Sequence, residues 1–117
     1  MINRKKESTY PVYMSSMPNV KITVLRRLDP SELFDEMPVT HVRDLKACDR
    51  VEDGQEFIVK GLDMPEGFCP PAWVAIVGNV RTMMFGGNMP WLKEKGTTVT
   101  CCTDGLRPVI FKLERME

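Results

Sequence analysis

The sequence predicts an α+β fold: an antiparallel sheet of about four strands with one main amphipathic helix packed on one face. Three observations predict it. Runs at residues 20–28, 56–60, 97–102 and 107–114 are rich in Val, Ile, Thr and Phe or alternate apolar with polar residues, as half-buried strands do. Trp73, Ile76, Val77, Val80 and Met84 fall at i, i+3, i+4, i+7 and i+11, which is one face of a helix. The last two strand-like runs flank Asp104-Gly105, a two-residue signal for a hairpin turn of the primed kind.

In chain order, residues 1–19 read as a flexible extension and 20–117 as one α+β domain. The first strand places Val20, Ile22, Val24 and Leu28 on one face against Lys21, Thr23 and Arg27, with Leu25 and Arg26 interrupting the alternation. Asp29-Pro30 opens a short helical turn, since Asp caps and Pro suits a first helical position. A brief strand is expected at residues 39–42, followed by a charged connector to Cys48. Glu52-Asp53-Gly54-Gln55 turns the chain into the second firm strand, with Phe57 and Val59 on its apolar face. The helix starts at Pro70-Pro71 and ends at Gly86-Gly87, the latter supplying the left-handed residue that closes many helices. Pro108 has no N–H for a ladder, so it belongs at a strand start or an outward edge position.

Composition narrows the function classes. At 117 residues, 43% hydrophobic and 27% charged, the chain suits one globular domain with a modest core. Sixteen basic residues balance sixteen acidic ones, so no net field draws nucleic acid to the whole molecule. The apolar runs are far shorter than the roughly 20 residues of a membrane-spanning helix. The amino terminus carries charge but no apolar stretch behind it, so the expectation is a cytoplasmic protein whose four cysteines remain thiols or metal ligands.

Chemistry concentrates in the cysteines. Cys69 sits at the start of the predicted helix, where the dipole favours a thiolate, and is the candidate reactive thiol; its bland alternative is a small packed side chain. Cys101 and Cys102 are neighbours in a strand and point to opposite faces, so only one of them can join Cys69. A metal centre, zinc or iron–sulfur, requires Cys48, Cys69, one of Cys101 and Cys102, and His41 to converge, and no C-x-x-C knuckle supports it. His41 is the sole histidine, and the chain contains no GxSxG, P-loop or dinucleotide-binding glycine pattern. Phe85, Gly86, Gly87 and Trp91, with Arg107 as an anion-binding side chain, form the candidate pocket.

The segments Asp53-Gly54-Gln55-Glu56-Phe57, Met64-Pro65-Glu66-Gly67-Phe68-Cys69, Phe85-Gly86-Gly87-Asn88-Met89-Pro90-Trp91 and Cys102-Thr103-Asp104-Gly105-Leu106-Arg107-Pro108-Val109-Ile110-Phe111 are distinctive. Through them, and over nearly all of the chain after residue 19, the sequence resembles a family of small uncharacterised prokaryotic proteins. In other members a Gly-His pair soon follows the cysteine matching Cys48, whereas Asp49-Arg50 stand here. The resemblance implies no activity. Two expectations remain: a small binding domain, with a homo-oligomer as the form of assembly, or a thiol-based redox or metal-binding protein using Cys69 with Cys48 and Cys102. An enzyme with its site between subunits is the weakest of the readings.

Overall fold

The structure is a computed structural model that describes residues 16–117. Strands β1 (Val20–Arg27), β2 (Glu56–Val59), β3 (Thr97–Cys101) and β4 (Val109–Arg115) form one sheet in the order β2-β1-β4-β3, each neighbouring pair antiparallel. Helix α1 (Pro70–Met84) packs on one face. The α+β expectation is met. Of the stretch read as an extension, residues 1–15 lie outside the described residues; Met17 rests against the core, and the Asn19 carbonyl accepts a hydrogen bond from Met116 N–H at 2.8 Å.

The alternation of apolar residues builds the core. Val20, Ile22 and Val24 from β1, Phe57 and Val59 from β2, and Val109, Phe111 and Leu113 from β4 are buried on one face of the sheet. Pairing in register, Ile22 with Leu113 and Val24 with Phe111, stacks them into one layer. From α1 the buried residues are Ala72, Ile76, Val80, Met83 and Met84. The stripe therefore begins at Ala72 rather than Trp73. Small Ala72 approaches the sheet closely, while half-buried Trp73 flanks it and meets Phe68 edge-on at 6.1 Å.

Three local expectations change. Residues 39–42 form no strand: Val39 and Val42 are exposed and pair with nothing. The β3–β4 connection is no two-residue turn. Its last backbone bond runs from Cys102 N–H to the Val109 carbonyl, leaving residues 103–108 as a wider loop. There the Asp104 carboxylate accepts from the N–H groups of Leu106 and Arg107 at 3.0 and 3.3 Å, so a side chain replaces the tight backbone turn, a common device of Asp. The third change lies in β1. Val24 opposes Phe111 but Arg26 opposes Ile110, so Leu25 is an extra residue, a β-bulge. Past the bulge the faces exchange, and Arg27, expected on the outer face, pairs with buried Val109 on the inner one.

The end of α1 follows the sequence. Gly86, at φ 89°, donates to the Met83 carbonyl and Gly87 to that of Thr82, the pattern of a Schellman cap. Arg115 adds a second tie: Nη1 donates to the Met83 and Gly87 carbonyls at 3.0 and 2.8 Å, and Nη2 to Asn88 Oδ1 at 3.0 Å. Its guanidinium lies where a side chain on Gly96 would project.

Two stability measurements check this account. Gly78 is exposed in mid-helix and a Cβ there meets nothing within 4 Å, so Gly78→Ala raises urea stability by about 0.5–1 kcal/mol. Arg115→Ala leaves helix-end carbonyls without their charged donor and lowers stability by about 2 kcal/mol; a change near zero removes the tie from the account.

Candidate functional site: a cleft lined by three cysteines

At the amino-terminal end of α1 lies a cleft of about 220 Å³ lined by Cys48, Arg50, Cys69, Pro71, Ala72, Cys102, Thr103, Asp104 and Arg107. Three separate segments supply these side chains. The bulge in β1 underlies the first wall. Arg27, turned inward, donates from Nη1 to the Cys48 carbonyl at 3.0 Å and from Nε to Asp53 Oδ1 at 3.0 Å, and its own N–H reaches the same oxygen. Those bonds, with Val51 buried in the core, hold the segment that carries Cys48 and Arg50 against the sheet.

The second wall is the start of α1. Cys69 is the N-cap residue, extended at φ −74° and ψ 118°, and its side chain makes no capping hydrogen bond. Helix starts normally offer several free N–H groups to an anion. Here Pro70 and Pro71 have none, and Trp73 N–H is bonded to the Cys69 carbonyl. Of the first three helical residues only Ala72 carries an N–H. Most of the positive character of the cleft therefore comes from side chains: Arg50 Nη1 stands 3.9 Å from Cys69 Sγ.

The third wall is the end of β3 and the loop after it. The pleat separates the adjacent cysteines as predicted, with Cys101 exposed on the outer face and Cys102 half-buried on the inner one, packed against the core. Val109 N–H approaches Cys102 Sγ at 3.3 Å. Arg107 Nε pairs with Asp104 Oδ2 at 3.3 Å, and Nη1 reaches the Lys46 carbonyl at 3.4 Å, which bridges this loop to the charged connector.

The structure thus brings together Cys48, Cys69, Cys102 and Arg107, and keeps the other sequence candidates apart. His41 lines a separate, shallower hollow of about 430 Å³ with Asp29, Phe34 and Lys46, and its Nδ1 accepts from Arg43 N–H at 3.2 Å. Asp29 there is occupied as a cap; the N–H and hydroxyl of Ser31 hold its carboxyl below the usual aspartate range. Phe85, Gly86, Gly87 and Trp91 follow the last turn of α1, whose 15 residues place that end about 22 Å from Cys69. Arg107 lines the cleft at the opposite, amino-terminal end of the helix. Trp91 is exposed, and Phe85 lies under the Arg81 guanidinium, 5.6 Å from the ring centroid.

Among the described residues no set of three or more His, Cys, Asp or Glu side chains is placed to hold one metal ion. The three thiols share a cleft but do not converge on a point, as zinc or an iron–sulfur cluster requires. Two site residues escaped the sequence reading, Arg27 and Arg50. The broken alternation at Leu25-Arg26 is the signal that finds the first; Arg50, in an irregular loop, has none.

The Arg27 pin has a measurable consequence. Arg27→Met, which keeps the aliphatic stem, frees the Cys48 segment and raises iodoacetamide labelling of Cys48 about tenfold, the equivalent of 1.4 kcal/mol of lost restraint. Unchanged labelling in peptide mass spectra assigns the hold to Val51 alone. No helix among the described residues is long and apolar enough to cross a membrane. Comparison of the chain with protein-family models, with curated proteins and with solved structures found no match.

Proposed function

We propose that the chain is a thiol-dependent binding domain whose working site is the Cys48–Cys69–Cys102 cleft, and that its ligand is a small anionic molecule carrying a thiol or disulfide. The observation that supports this reading is the grouping of three cysteines with Arg50 and Arg107 around one hollow of about 220 Å³. That volume is below the roughly 300–1,000 Å³ of sites for drug-sized ligands, so the ligand is small. The Arg50 guanidinium beside the thiols, together with the Arg107 donors that Asp104 and Lys46 leave over, matches a carboxylate-bearing compound, since arginine binds carboxylates through paired donors.

The chemistry follows from the placement of Cys69. Its sulfur has no capping bond to break and stands beside Arg50. As a thiolate it attacks one sulfur of a ligand disulfide; the new S–S bond forms while the ligand's own breaks. The departing half leaves as a thiolate, which takes a proton from water. Cys48 and Cys102, in the same cleft, are the thiols available to displace the bound half in a second exchange. Pro70 and Pro71 suit this role: with few backbone donors at the helix start, selectivity for charge rests on the arginines.

Dithiodiglycolate, which is small and anionic, and hydroxyethyl disulfide, which is neutral, separate the parts. In a Cys101→Ser background, which removes the exposed outer thiol, the anionic probe is expected to add one carboxymethylthio group at Cys69. Cys69→Ser abolishes that adduct. Arg50→Ala with Arg107→Ala slows the anionic probe about tenfold more than the neutral one, which loses only the support Arg50 gives the Cys69 thiolate. Equal slowing of both probes, or adducts unaffected by Cys69→Ser, would overturn the reading.

A further inference from the structure

The two edges of the sheet differ in kind. β2 is four residues long and guarded by charge, with Glu56 in the strand, tied to Lys21 at 3.7 Å, and Lys60 just beyond it. β3 is Thr97-Thr98-Val99-Thr100-Cys101, with no charge, no proline and no bulge. Protein edges usually carry one of those devices, because a bare edge accepts another strand.

The alternation of the ladder identifies which groups are free. Arg115 N–H donates to the Gly96 carbonyl, and Cys102 N–H to the Val109 carbonyl. In an antiparallel pair such bonds fall on alternate residues. Gly96, Thr98, Thr100 and Cys102 therefore turn their backbone groups to β4. Thr97, Val99 and Cys101 turn theirs to the open edge, where no backbone hydrogen bond from another segment among the described residues reaches them. Val99 and Cys101 also expose their side chains on the outer face, at 53% for Val99.

We propose that the β3 edge pairs antiparallel with the β3 edge of a second copy of this chain, about a two-fold axis at Val99. That register engages all three free positions of each strand: Val99 faces Val99 of the second copy, and Thr97 faces Cys101. Each facing pair exchanges two bonds, about six in all. A two-fold contact of one patch with itself closes as a dimer, here with one continuous eight-stranded sheet. Antiparallel pairing brings the Lys93-Glu94-Lys95 segment of one copy to the Asp104 end of the other, where Arg107 already pairs with Asp104, so it is the backbone register and not charge that favours a second copy. A strand of five residues spans only about 17 Å, so the interface is of the small, reversible class.

Sedimentation or light scattering of the full chain under reducing conditions, which prevent Cys101 disulfides, tests this. The mass is expected to rise from 13.4 kDa toward twice that value as concentration rises. Val99→Pro deletes an N–H that the β4 ladder does not use, at a position where an edge strand tolerates proline, and gives a monomer with unchanged circular dichroism. Val99→Lys, which keeps the backbone and sets like charges face to face across the axis, gives a monomer as well and serves if the proline variant fails to fold. A native chain still monomeric at about 1 mM, or a dimer that survives Val99→Lys, overturns the proposal.

Discussion

One extra residue in β1 sets the inner surface of this protein. Without the bulge at Leu25, strict alternation would carry Arg26 inward and leave Arg27 on the charged outer face among Lys21, Lys112 and Glu114. With it, a guanidinium reaches under the sheet end and binds a carboxylate and a carbonyl from a segment with no regular structure. The position of Cys48 and Arg50 depends on that reach. A single insertion in a strand thus converts a half-buried surface into a wall of a cleft, as bulges near functional sites commonly do.

The rest of the cleft is assembled by features that each leave something undone. Two prolines start α1 well, because their fixed φ suits a first turn, yet they remove donors that would otherwise crowd around Cys69. The Asp104 side chain shapes the β3–β4 loop in place of a two-residue turn and so opens room for Arg107. Cys102 faces inward only because the pleat sends Cys101 outward. Tight turns and full caps at these places would serve stability better and leave less of a hollow.

How much was legible in the sequence follows from the range of each interaction. Strands and helix were readable because Val20-Ile22-Val24, Val109-Phe111-Leu113 and Ile76-Val80-Met84 repeat with the period of the element they form. The Schellman end at Gly86-Gly87 was readable because its chemistry is local. The β3–β4 connection was misjudged because Asp104 stabilises a wide loop as readily as Asp-Gly forms a tight turn, and the register with Ile110 decides between them. Cys69, Cys48 and Cys102 were named from the sequence, but their common cleft depends on strand order, which periodicity does not encode. The pocket drawn from Phe85 to Trp91 failed for the same reason: nearness of function-like motifs along the chain says nothing about which end of a helix they occupy.

Arg115 ties the carboxyl end of α1 to the last strand through the carbonyls of Met83 and Gly87, and the amino end has no comparable clamp, since Cys69 makes no side-chain cap. Burial of Phe68 and Ala72 anchors that end instead. The two ends of the helix are thus held by different physics, directional charged hydrogen bonds at one and non-directional apolar packing at the other, and the cleft thiol lies at the latter.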